Sequence, residues 1–258
     1  MQMEHYGDGF LERLDWRDEI ALWSKADFAN FDIGDRLLAA GVAPKKIYFI
    51  RQGLVQMTAM SRDGQEAFLR LCGPGQMLGE DALLPFGQRS HRRRTVNATA
   101  LTECRARVMS REGALEFLNS RPHLWEMFTQ DLIQRTVEDE TRITSLACDH
   151  SVRRLAWLLW DLERHGGVVQ DDGSRRLPLP LSQTTLAMWA GMSKKTVERT
   201  LRDWRERGII STPAPRTIII HKSNTLAVFA GVTRPKQHAP GTMRQVPHGR
   251  NQERQRAG

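Results

Sequence analysis

The chain has 258 residues, 40% apolar and 26% charged, which is enough for two ordinary domains and excludes disorder of the whole. No run of about 18 apolar residues occurs, and residues 1–10 lack the basic stretch and apolar core of a secretion signal, so neither a membrane partner nor export is expected and the protein is placed in the cytoplasm. The formal charge of +8 favours a polyanionic partner and says nothing about fold.

Residues 47–109 read as short strands and turns. Ile47, Tyr48, Phe49 and Ile50 form an apolar run closed by Gly53, and residues 54–59 carry a weak period of two. Asp63-Gly64 is a hairpin turn, because both residues tolerate positive φ, and 66–71 is the returning strand. After a Gly73-Pro74-Gly75 turn come Met77-Leu78 and strands at 96–100 and 104–109. Strands this short, at this spacing, suggest a barrel or roll.

Ser110 caps a short helix carrying Leu115, Phe117 and Leu118, and Pro122 stands in the first turn of a long one. Along that long helix Leu124, Phe128, Leu132, Thr136, Ile143 and Leu146 recur in steps approaching a heptad seam. Such a stripe seats either a second copy of the chain or the β-domain of its own chain. Ser151 opens the next helix, whose apolar face is Leu155, Leu158, Leu159 and Leu162 and whose stop is Gly166. The Asp-, Gly- and Arg-rich segment 167–178 reads as a surface loop.

Residues 181–212 carry the strongest signal. Ser182 is an N-cap, Leu186, Ala187 and Ala190 form the inner face of a short helix, and Gly191 supplies a turn. Ser193 caps a second helix with inner face Val197, Leu201 and Trp204, ended by Gly208. Two helices joined in this way fit a helix-turn-helix, in which the first braces the second in the DNA major groove. Lys194, Lys195, Thr196 and Arg199 lie at the end that reaches base edges, and Gln183 stands beside the first cap. Residues 209–212 and 217–221 around a 213–216 turn form a two-stranded wing. A basic helix alone is often only a solvated face; cap, turn, register and wing together point to double-stranded DNA.

Cys72, Cys104 and Cys148 are far apart and odd in number, which fits buried reduced thiols better than a disulfide framework. The eight histidines show no metal-ligand spacing, so no metal is expected. "GPGQMLG" at 73–79 has the wrong glycine spacing for a phosphate-cradling loop and lacks the following Lys-Ser/Thr pair. Catalysis therefore finds no support. The tail at 233–258 has Arg234, Lys236, Arg244, Arg250, Arg254 and Arg256 against Glu253, and too little apolar surface to fold.

Over roughly residues 22–222 the chain resembles the cyclic AMP receptor/FNR (Crp/Fnr) family of transcription regulators. "LSQTTLAMWAGMSKKTVERTLRDWRERGII" is similar to that family's helix-turn-helix, and "IYFIRQG" resembles the first strand-and-glycine motif of its β-roll. "LGEDALLPFGQRSHRRRT" resembles the phosphate-binding cassette of cyclic-nucleotide domains. The resemblance implies an α+β chain divided into a cyclic-nucleotide-binding-like β-roll (1–120), a dimerisation helix (121–149), a winged helix-turn-helix (150–232) and the basic tail. It implies a homodimer that engages RNA polymerase and responds to a small effector, cyclic AMP or cyclic GMP.

In the cassette the resemblance assigns close backbone approach to Gly79, the ribose hydroxyl to Glu80 and free amides to Asp81 and Ala82. Arg94 would pair with the phosphate, with Thr95 adding a hydroxyl. Arg89, Arg92 and Arg93 in the same run are rival phosphate partners, and Val96 replaces the usual alanine. Asp139 and Glu140 stand where a Thr-Ser pair meets adenine in the family, and Lys195 replaces an acid that reads a base. A regulator that needs no effector, and a cyclic-nucleotide-binding subunit acting on a protein partner, are the alternatives.

Overall fold

The computed structural model describes residues 9–61, 63–64, 66–83, 93–177, 179 and 181–232. The basic tail, and Arg89, His91 and Arg92 of the cassette run, lie outside the described residues. The first half holds α1 (Trp16–Lys25), β1 (Asp27–Phe31), β2 (Arg36–Leu38), β3 (Lys46–Gln52), β4 (Val55–Met60), β5 (Glu66–Cys72), β6 (Met77–Leu78), β7 (Val96–Ala100), β8 (Cys104–Ser110) and α2 (Arg111–Asn119). Then come α3 (Pro122–Cys148), α4 (Ser151–Gly166), β9 (Val168–Val169), β10 (Arg175–Arg176), α5 (Gln183–Ala190), α6 (Lys194–Glu206), β11 (Ile210–Ser211), β12 (Ile219–Ile220) and α7 (Ser223–Phe229).

Two four-stranded antiparallel sheets, β1-β8-β3-β6 and β2-β7-β4-β5, make the roll. The apolar run in β3 is unbroken because both of its faces are covered. Ile47 and Phe49 pack with Phe10, Leu22, Phe117, Leu124 and Phe128 under the helices, while Tyr48 and Ile50 join the core between the sheets. Cys72 and Cys104 are buried in that inner core, and burial pushes both thiols up, so they stay protonated. Cys148 does not share their fate: at the end of α3 it is exposed.

The long helix divides its apolar residues between two surfaces. Leu124 and Phe128 enter the core of their own roll, and Leu132 packs against its edge. Ile133, Val137 and Ile143 are 59%, 50% and 65% exposed. The seam read from the sequence is therefore two stripes: one, at the start of α3, is held within the chain, and the outward one includes Ile133 and Val137, which the heptad count passed over.

Residues 167–177 are a hairpin rather than a loop. Asp172 accepts from the amide and hydroxyl of Ser174 at 2.9 and 2.6 Å, Gly173 closes the turn at φ 79°, and Arg175 pairs with both Val169 and Ile220. The wing is thus the edge of a four-stranded sheet, β11-β12-β10-β9. Two-residue strands are too short to show a period, so their pairing was not visible along the chain.

Roll and C-terminal half share one core. Leu54, Phe68 and Leu71 pack with Leu155, Leu186, Trp189, Val197 and Trp204. At their junction the rings of Phe68 and Trp189 stack at 4.7 Å. Arg142 lies 4.6 Å over Phe68 and donates to the Trp189 carbonyl at 2.9 Å.

Candidate functional site

The helix-turn-helix is built from its caps inward. Ser182 Oγ accepts from the Thr185 amide at 3.0 Å, starting α5, and Ser193 Oγ accepts from the Thr196 amide at 3.2 Å, starting α6. Between them Gly191 sits at φ 61°, ψ 46°, a conformation that costs a side-chain-bearing residue roughly 1–2 kcal/mol. A Cβ there would also meet Leu146 at 3.2 Å. Ser193→Ala should therefore weaken the first turn of α6 by about 1 kcal/mol, seen as roughly fivefold faster amide exchange at Thr196 and Val197; unchanged exchange would show that the cap is dispensable.

Once started, α6 divides cleanly into two faces. Val197, Thr200, Leu201 and Trp204 are buried, and Lys194, Lys195 and Arg199 are exposed. Thr196 is half-buried and its hydroxyl is 2.9 Å from Ser193 Oγ, so it serves the cap. Lys194 lies 3.8 Å from Glu198, an exposed pair worth little. Lys195, Arg199 and the exposed Arg202 form no ion pair among the described residues. Their i, i+4, i+7 spacing puts them on one stripe, and that spacing was the available signal for Arg202, which the sequence reading missed. Ser182 and Gln183 are half-buried at the start of α5. In the wing, Arg216 is exposed and holds φ 62°, the one non-glycine residue with positive φ among those described. Its carbonyl accepts from the Leu181 amide at 2.9 Å and so ties the wing to the start of α5.

The structure gathers Gly79, Glu80, Asp81, Ala82 and Arg94 at one end of β3. Gly79 has φ 86°, and a Cβ there would stand 2.6 Å from the Lys46 carbonyl and 3.1 Å from both terminal nitrogens of Arg94. Arg94 is only 6% exposed. It gives one donor to Asp81 at 2.8 Å and one to the Lys46 carbonyl at 2.8 Å, so its fork is engaged inside the chain. Glu80 accepts from Arg135 at 3.1 Å and lies 3.5 Å from Arg70, while Arg135 also contacts Asp131. The Ala82 amide, expected free, donates to the Gly79 carbonyl at 3.0 Å because residues 80–82 close a 3-10 turn. Thr95 is exposed beside Arg94. Asp139 lines a cleft shared with Arg70, and Glu140, although exposed, is not among the residues that line it.

Among the described residues no helix is long and apolar enough to cross a membrane, and no cluster of His, Cys, Asp or Glu could hold a metal ion.

Residues 28–121 match the cyclic nucleotide-binding domain, and residues 153–229 match the Crp-like helix-turn-helix domain. The chain is 29% identical to the CRP-like cAMP-activated global transcriptional regulator of Mycobacterium tuberculosis, covering 80% of this chain and 89% of that protein. It is 30% identical to the transcriptional regulator SdrP of Thermus thermophilus, covering 70% and 83%. A solved CRP/FNR-family transcriptional regulator, also of Thermus thermophilus, superposes with a TM-score of 0.64 at 26% identity, covering 80% of this chain and 98% of that one.

Proposed function

We propose, given that the chain belongs to the Crp/Fnr family of transcription regulators, that it binds double-stranded DNA as a homodimer and sets α6 in the major groove of each half-site. Transcription regulation and not catalysis is what its relatives do. The observation that carries the reading is the two-faced α6: Lys195 and Arg199 face outward, with no ion pair among the described residues, on a helix anchored by Val197, Leu201 and Trp204. Arginine and lysine suit guanine O6 and N7, and Lys194, with Ser182 and Gln183 at the start of α5, suits backbone phosphates. Ser193 and Thr196 hold that first turn in place. The exposed Ile133, Val137 and Ile143 supply an apolar seam for a second copy.

In this reading residues 1–120 form the effector unit, 121–149 the dimer helix and 150–232 the DNA-binding unit, working in the cytoplasm with RNA polymerase. Sequencing of DNA selected by the purified full-length protein tests it. The expected result is a pseudo-palindrome with half-sites about one helical turn, roughly 34 Å, apart. Selection of no sequence, or of single half-sites only, would overturn it.

The effector we propose is a cyclic nucleotide, cyclic AMP or cyclic GMP, at Gly79, Glu80, Asp81, Ala82, Arg94 and Thr95, with Asp139 and Glu140 on the helix above. A relative described as cAMP-activated supports that chemistry. Such a ligand would have to draw Arg94 from Asp81 and Glu80 from Arg135, and would shift the DNA-binding units only through unequal affinity for their arrangements. The same internal pairs favour a second reading, a regulator whose DNA affinity is set without an effector. Calorimetry with cyclic AMP and cyclic GMP separates the two. Binding heat with a changed DNA affinity is expected for the first; no heat at millimolar ligand, with tight DNA binding already present, leaves the second.

A further inference from the structure

A cavity of about 720 Å³ does not open at the Gly79–Ala82 turn, and neither Glu80 nor Arg94 lines it. It lies between the middle of α3, the end of β5 and the segment holding Gly9, Glu12 and Arg13 on one side, and the second half of α4 with β9 on the other. Two half-buried indoles, Trp157 and Trp160, face it from successive turns of α4. Each carries a guanidinium on its ring: Arg142 at 5.4 Å on Trp157 and Arg164 at 4.6 Å on Trp160.

Of the other charges in this cleft several are matched, while Glu138 and Asp139 form no ion pair among the described residues. His165 stands 3.3 Å from Asp161, Arg175 3.4 Å from Glu163, and Arg70 3.5 Å from Glu80. Arg142 and Arg164 have no carboxylate within 4.0 Å among the described residues. For Arg142 this matters most, since it is 8% exposed and its one hydrogen bond goes to a neutral carbonyl. Burial disfavours its charge, and Asp161 and Asp139, at longer range, offset that only in part. A desolvated cation between aromatic rings gains most from an anion brought to it.

We infer that this cleft is a second binding site, for a planar aromatic anion whose ring packs on Trp157 and Trp160 and whose carboxylate or phosphate engages Arg142 and Arg164. Because one wall belongs to the roll and α3 and the other to the DNA-binding half, the ligand bridges the two and biases their arrangement. This last step rests on the DNA-binding reading above; the site itself does not.

Aromatic carboxylates and nucleotides share the required chemistry, so the test has two arms. Full-length protein is titrated with 4-hydroxybenzoate and indole-3-acetate, and separately with 5′-AMP and 5′-GMP, following tryptophan fluorescence and heat. At least one probe is expected to saturate, with binding weakened tenfold or more in both Arg164→Ala and Trp160→Leu. The arm that saturates names the source. Arg164 is partly exposed and its side chain is held by the ring contact with Trp160, so its variant serves even where the tryptophan variant misfolds. No saturation by any probe at millimolar concentration, or saturation unaltered in Arg164→Ala, overturns the site. Failure of the protein to bind DNA while these titrations succeed would count against the regulator reading alone.

Discussion

Arg199→Ala is expected to erase the base preference at one position of each half-site while leaving the rest of the recognised sequence intact. A bidentate arginine contact to a base is worth about 1–3 kcal/mol of discrimination, or roughly 5- to 150-fold between the right and wrong base pair. Arg199 is exposed one turn beyond Lys195 and has no carboxylate among the described residues to release before it reaches a base. Arg202, three residues further along the same stripe and farther from the helix start, is expected to behave as a phosphate contact. Arg202→Ala should weaken all sequences alike and lower the salt slope by about one. Lys195→Glu turns a donor into an acceptor and should exchange a guanine preference for cytosine or adenine. Selected-DNA sequencing of the three variants reads all of this, and an unaltered preference in Arg199→Ala would remove that residue from the base-reading set.

The second large effect lies beneath the same helix. Trp204 is 0% exposed and its ring stacks on Phe229 at 6.0 Å, so Trp204→Ala opens a cavity in the core that seats α6. Truncations of this kind cost about 3–5 kcal/mol. Against a typical domain stability of roughly 5–15 kcal/mol, DNA binding should be lost through unfolding of the C-terminal half. Trp204→Phe is expected to be much milder. It keeps most of the packing and removes an indole Nε1 that meets no acceptor among the described residues. Thermal melting together with DNA titration distinguishes the two, and an Ala variant that melts and binds like the parent would show that Trp204 does not hold the helix.

Much of the DNA-facing arrangement was legible from residues close together in the chain. Ser182 and Ser193 announce helix starts because a hydroxyl reaches an amide three residues on, and Gly191 announces a turn because its φ is positive. Val197, Leu201 and Trp204 mark an inner face because their spacing matches the helical repeat. Asp63-Gly64 likewise predicts the β4–β5 hairpin that is found. These signals act within about one turn, so a reader of the sequence has all the information they contain.

Other features depend on partners that sequence distance hides. The sequence names Arg94 and Glu80 as chemical groups, but only the fold engages Arg94 with Asp81 and the Lys46 carbonyl and brings Arg135 to Glu80. The division of the α3 stripe, the pairing of β9 with β10, and the cleft holding Arg142 and Arg164 arise in the same way. By itself the sequence determined the starts, the turn and the inner faces of α5 and α6, and which residue types α6 presents. The tertiary structure alone decided which charges are already matched and which surfaces stay uncovered, because charge pairing and burial depend on distances in space between residues far apart along the chain.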